Sequence, residues 1–222
     1  MIPLRDTQPS HSAPVATVGL IAVNVFAFFL EVSLDPFSRN ELIAQYGIIP
    51  ARIDAVSLFT SMFLHGGWMH LIGNMWFLWI YGDNIEDILG RGKYLLFYLV
   101  CGVLAGLIHI VFNSASRVPT IGASGAIAGV MGAYMAKFPK SRILTLVPLL
   151  VFFTTIEIPA VLILAYWFFL QLFSGAGEIG QSHLSRGGVA WFAHAGGFVA
   201  GYLLIRLMRT KERYSHRPDL HW

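Results

Sequence analysis

The chain reads as an all-α, polytopic membrane protein, a bundle of six transmembrane helices. Three observations predict it. Hydrophobic residues make up 56% of the 222 positions and charged residues only 12%, too apolar and too charge-poor for a soluble domain of this size. The apolar residues gather into six runs separated by Gly, Pro and charge clusters. The basic residues fall unevenly among the loops between those runs, as they do where a bilayer sorts the two sides of a protein.

The runs follow in order. The first spans about Val15 to Leu34; no small-residue cleavage site with a suitable flank follows it, so it reads as an anchor and not a secretory signal. The second runs from Trp68 to Tyr81 and stops at the acidic cluster Asp83 to Asp87, and the third covers Tyr94 to Phe112. The fourth opens after Pro119-Thr120, from Ser124 to Ala136; the fifth runs from about Ile158 to Phe173 and the sixth from Trp191 to Met208. Between the fourth and fifth, Ile143 to Thr155 is apolar but interrupted by Pro148, which suits a re-entrant or interfacial element better than a seventh span. Residues 1–14 and 210–222 read as tails flanking a six-helix domain over 15–209.

With the N-terminus inside, 11 of the 15 Lys and Arg residues fall on the cytoplasmic side, and Arg39, Arg52, Arg117 and Arg186 fall outside. Both termini are therefore expected to be cytoplasmic. The net charge of +3 reflects that sorting, and nucleic acid is not an expected partner. The single cysteine, Cys101, excludes an intramolecular disulfide and reads as a small buried hydrophobe.

Helix lengths then locate the polar side chains. Ser124 stands 13 residues before Lys137, roughly 20 Å of helix against a hydrocarbon core of about 30 Å, so it is expected below the outer surface. His194 is 12 residues before Arg206 on a helix running the same way, and His70 is 13 before Asp83 with Asn74 one turn below it on the same face. Four polar groups converge on one level, where they are costly unless paired or functional. Gly122, Gly125 and Gly129 beside the serine, and Gly197 and Gly201 beside the histidine, read as helix-packing residues that let two backbones approach closely. That approach is what a serine–histidine hydrogen bond of about 2.6–3.2 Å requires. Ser124 and His194 are thus the candidate nucleophile and base. His70, Asn74 and the backbone N–H of Ser124 are the candidate oxyanion donors, and no cofactor or metal is expected. His65 and His109 read equally well as helix-bridging groups.

Three motifs carry a family resemblance: His65-Gly66-Gly67-Trp68-Met69-His70 followed by Asn74, Gly122-Ala123-Ser124-Gly125, and Ala193-His194-Ala195-Gly196-Gly197 with Gly201. With Tyr81-Gly82-Asp83-Asn84-Ile85-Glu86-Asp87, they resemble the rhomboid family of intramembrane serine proteases over roughly Val15 to Met208. The resemblance implies a Ser124–His194 dyad, with His70 and Asn74 in the oxyanion site. It also implies transmembrane segments of other membrane proteins as substrates, and the six-helix core common among prokaryotic members, set in a cytoplasmic membrane. Some members carry a Trp-Arg pair in the first external loop, where this chain has Tyr46-Gly47. Two other function classes compete. A non-catalytic rhomboid-like protein that binds membrane clients typically lacks the serine or the histidine, and both stand here. A transporter relaying protons through His70, His109 and His194 would call for acidic partners within the spans, which the sequence does not supply.

Overall fold

Each of the six apolar runs forms a helix. The computed structural model describes residues 1–149, 152–179 and 190–211; Arg186, Arg213, Arg217 and nearly all of the expected C-terminal tail lie outside the described residues. In chain order the elements are β1 (Ile2–Asp6), α1 (Val15–Ser33), α2 (Pro36–Tyr46), α3 (Ser57–Thr60) running into a single 3₁₀ turn at Ser61–Phe63, α4 (Trp68–Leu89), α5 (Arg91–Phe112), α6 (Ser124–Lys137), β2 (Arg142–Leu149), β3 (Phe152–Pro159), α7 (Ala160–Ile179) and α8 (Trp191–Leu207).

Local chemistry sets the helix ends. Asp35 accepts from the N–H groups of Phe37 and Ser38, with Pro36 at the first helical position, a capped start for a helix that the hydrophobic pattern did not announce. Gly90, at φ 78°, closes α4 through its N–H to the Glu86 carbonyl at 2.7 Å and opens α5 at once, a backbone state that glycine adopts without strain.

Helix α4 continues two turns past the expected stop at Tyr81. Within the acidic cluster taken for its exit, Asn84, Glu86 and Asp87 are buried and serve as a socket for the N-terminal segment. Glu86 accepts the N–H groups of Ala16 and Thr17 at 2.9 and 2.8 Å and the Thr17 hydroxyl at 2.9 Å. It thereby satisfies donors that the first turn of α1 leaves without intrahelical partners. Asp87 accepts from the His11 N–H and the Ser12 hydroxyl, and Asn84 donates to the Gln8 carbonyl at 3.1 Å.

The expectation of helices alone needs one correction. The chain folds a three-stranded antiparallel sheet in the order β1-β2-β3, and the stretch Ile143 to Thr155, expected as a re-entrant or interfacial element, supplies the β2–β3 hairpin, paired from Arg142↔Pro159 to Leu149↔Phe152. Alternation of Ile, Leu and Val with Thr favours strand here over helix. Strand β1 covers β2 only from Ile143 to Leu146, so at Pro148 the strand is an edge, where a missing N–H is tolerated. The sheet is tied to the helices by the Trp76 indole N–H donating to the Pro3 carbonyl at 2.6 Å and by the Tyr134 hydroxyl donating to Asp6. Burial, against the opposing pull of that hydroxyl and reinforced by Asp83, pushes the Asp6 carboxyl up to about 7.

Helix α6 lies at the centre. Its residues from Gly125 to Tyr134 are buried on every side, as expected of a helix apolar all round, with Tyr81 of α4 edge-on to Tyr134 at 5.1 Å between ring centroids. Among the described residues two helices, α1 and α5, are long and apolar enough to cross a bilayer, and α7 carries a shorter apolar stretch, Ala160–Gly175. Phe26, Phe29, Trp79 and Phe173 stand exposed on the outside of the helices, a surface suited to lipid.

Candidate active site

The site begins with a seam that has no side chains in it. A Cβ placed on Gly197 would strike the backbone carbonyl of Gly125, and one on Gly201 would strike that of Gly129. On the other flank of α6, a Cβ on Gly125 would sit 2.7 Å from the Ala105 Cβ, and one on Gly129 2.5 Å from the Cys101 Cβ. Glycine therefore lets α6 touch α8 backbone to backbone while α5 packs against it, the arrangement that small residues permit between helices.

That contact brings two side chains together. Ser124, the first residue of α6, and His194, in the first turn of α8, meet with the serine Oγ 2.7 Å from the imidazole Nε2. On its far side the ring lies with Nδ1 2.8 Å from Oε1 of Gln171 on α7. Gln171 is buried, 7% exposed, and Trp167 and Trp191 flank the imidazole at 5.9 and 6.4 Å between ring centroids. Sequence reasoning passed over Gln171. The signal was present, since it is a lone amide amid Trp167, Phe168, Phe169, Leu170, Leu172 and Phe173, and buried polar groups in apolar surroundings need a reason.

Gly122 takes a different place from the seam glycines. It sits in the turn before α6 at φ 129°, a conformation that favours glycine, and its N–H donates to the Ser61 carbonyl at 2.9 Å. A Cβ there would lie 2.6 Å from Cε1 and 2.8 Å from Nε2 of His70, and 3.7 Å from the Ser124 hydroxyl oxygen. The bare Gly122 thus lets the His70 ring reach the serine's end of α6. His70 Nδ1 accepts the Gly66 N–H at 3.4 Å, which leaves the proton of the neutral ring on Nε2, the edge turned toward Gly122. Asn74, one turn along α4, is buried, and its Nδ2 has no hydrogen-bond partner among the described residues.

The loop before α4 is tethered from two sides. The His65 N–H donates to Glu31 of α1 at 3.0 Å, and Arg39 of α2 donates to the carbonyls of His65 and Gly66 at 3.2 and 3.3 Å. His65 is fully buried against the His70 ring at 5.2 Å. Burial, helped by His70, pushes its imidazole down to about 4. His109 bridges from α5 to the loop before α6, its Nε2 2.9 Å from the Thr120 hydroxyl, while Thr120 exchanges backbone hydrogen bonds with Ile48. Neither His65 nor His109 joins the serine.

The arrangement has the parts an acyl-transfer site needs: a hydroxyl bonded to an imidazole, a third group on that imidazole's other nitrogen, and a helix N-terminus with polar donors opposite. Comparison with known proteins gives the family. The Rhomboid domain matches residues 53–211. The chain is 33% identical over 128 residues to the bovine presenilin-associated rhomboid-like protein, mitochondrial, a match over 56% of this chain and 33% of that protein. It is 30% identical over 176 residues to the rhomboid protease GluP of Bacillus subtilis, 77% of this chain and 33% of GluP, and 24% identical over 227 residues to RHOMBOID-like protein 1 of Arabidopsis thaliana, 91% of this chain and 53% of that one. The chain spans about a third of the length of the first two relatives. One is mitochondrial and the other bacterial, so the likeness carries the membrane setting and not the compartment. A domain match from the segment before α3 to the end of α8, on a chain whose serine and histidine meet across a glycine seam, makes this protein a member of the rhomboid family of integral membrane proteins.

Proposed function

We propose that the protein is an intramembrane serine protease that hydrolyses peptide bonds in or near transmembrane segments of other membrane proteins, with Ser124 as nucleophile and His194 as general base. The observation that carries this reading is the 2.7 Å contact between the Ser124 hydroxyl and Nε2 of His194, within the reach that proton transfer demands. The likeness to GluP supports it. In the reaction, Nε2 takes the hydroxyl proton as Oγ attacks the scissile carbonyl carbon. The oxyanion that forms is met by the Ser124 backbone N–H, the Nε2–H of His70 and the Asn74 amide. His194 then gives its proton to the leaving amine, and water hydrolyses the acyl-enzyme by the same route in reverse.

In this reading α1, α4, α5, α6, α7 and α8 are six crossings of a prokaryotic cytoplasmic membrane, both termini lie in the cytoplasm, and the protease unit covers 15–209. The 14 residues of α6 amount to about 21 Å, shorter than a hydrocarbon core of about 30 Å, which supports a serine sunk beneath the outer surface and reached by water through a polar cavity. The alternative of a client-binding protein without activity is separated by a fluorophosphonate probe. The expected outcome is covalent labelling of the wild-type chain in detergent, with none on Ser124→Ala and, because nucleophile and base act as a unit, at least about a 10³-fold slower reaction on His194→Ala. Equal labelling of wild type and Ser124→Ala would sink the protease reading.

A further inference from the structure

A neutral imidazole carries one N–H and one lone pair, and it serves as a base toward a serine only when the lone pair is on the nitrogen facing that serine. The partner of the other nitrogen decides which tautomer is present. In serine hydrolases a carboxylate usually holds that place, and no Asp or Glu is hydrogen-bonded to His194 among the described residues. The atom that stands there is Oε1 of Gln171, 2.8 Å from Nδ1. An amide oxygen only accepts, so it pins the proton on Nδ1 and leaves Nε2 bare toward Ser124.

The setting agrees. Gln171 is buried within an otherwise apolar stretch of α7, where an amide is expensive unless its hydrogen bonds are made. Trp167 precedes it by one helical turn on the same face and lies beside the His194 ring. One face of α7 therefore supplies both the acceptor that fixes the tautomer and the flat wall that fixes the ring plane. We propose that Gln171 is the positioning residue of the site, completing a Ser124–His194–Gln171 relay in which an uncharged amide stands where a carboxylate would otherwise be. The role rests on the protease reading above. It orients the base without placing a negative charge in an apolar interior, a charge that would be costly there.

The test compares Gln171→Met, which keeps the volume and removes the acceptor, with Gln171→Glu, which keeps acceptor oxygens and adds charge. Full-length wild type, both variants and Ser124→Ala are reacted with a fluorophosphonate across pH 5 to 9, with melting temperatures taken on the same preparations. Gln171→Met is expected to label about ten- to a hundred-fold more slowly, the size of effect for a group that orients an imidazole, at a melting temperature close to wild type. Gln171→Glu is expected to recover most of the rate and to move the acid limb of the pH profile upward. Wild-type rate and profile in Gln171→Met overturn the proposal. So does an equal loss in both variants that follows their melting temperatures, because a purely structural contact behaves that way. If the wild-type chain labels no better than Ser124→Ala, the protease reading itself falls and the relay with it.

Discussion

The α6–α8 seam and the N-terminal end of α4 both border the turn that carries the serine, and they are held by opposite means. At the seam, Gly125 and Gly129 meet Gly197 and Gly201 backbone to backbone, so the distance between the helices is set by covalent geometry and van der Waals contact. At the end of α4, the loop is slung from Glu31 and Arg39 by hydrogen bonds, His70 is held by one long bond of 3.4 Å, and Asn74 Nδ2 is unpaired among the described residues. The difference teaches a division of labour. Ser124 and His194 are already in contact, whereas the groups at the end of α4 are left with donors to spare, as the proposed protease requires if those donors are to meet charge that exists only in the transition state.

The comparison breaks most severely at the seam. Gly201→Leu must place a side chain where the Gly129 backbone stands, so the helices separate. The expected result is a loss of about 1–3 kcal/mol or more of stability together with most of the turnover, read from a melting curve and cleavage of a transmembrane substrate. A Leu variant with wild-type melting and activity would show that the backbones do not touch. The other side is probed by Asn74→Ala, which should lower turnover by roughly ten- to a thousand-fold, the range for one oxyanion donor, while shifting the melting temperature little. Normal turnover with earlier melting would move Asn74 from chemistry to packing. The smallest effect is expected from His65. Its folded-state value of about 4 lies below the ordinary 6.5, so the unfolded chain binds the proton first. The stability it contributes is full above about 6.5 and drains away as pH falls toward 4. Through that window the raised Asp6 carboxyl pulls stability the opposite way, so the His65 share is read as a difference: the slope of melting temperature against pH should be less positive in His65→Gln than in wild type. An unchanged slope would mean that His65 is not held neutral by its burial.

What the sequence disclosed was whatever depends on composition along one element. Six apolar runs became six helices because length and hydrophobicity act locally, and Ser124 and His194 stood out because polar residues flanked by glycines are rare in such runs. What it hid were matters of pairing between distant segments. Asp83 to Asp87 looked like a helix exit because the partners of Glu86 and Asp87, namely His11, Ser12, Ala16 and Thr17, lie some 70 residues earlier in the chain. The β2–β3 hairpin was obscured by Pro148, whose harmlessness depends on how far β1 reaches along β2. Gln171 went unmarked, since unlike Asn74 it shares no helix face with a histidine, although a buried amide needs a partner all the same. Gly122 was grouped with the packing glycines by spacing, while its φ of 129° and the nearness of His70 are properties of the folded turn.

The Glu86 cap also bears on how the protein is made. The first turn of α1 finds its acceptor 70 residues downstream, so at a synthesis rate of about 5–20 residues per second the helix waits several seconds for it. Until α4 arrives, the N–H groups of Ala16 and Thr17 must be served by water or lipid headgroups at the membrane face. The segment leading into α1 is thus translated well ahead of its acceptors, and it is locked only once α4 has emerged. A substitution at Glu86 would accordingly register in newly made chains, as slow maturation or early proteolysis, before it registered in the kinetics of molecules that had finished folding.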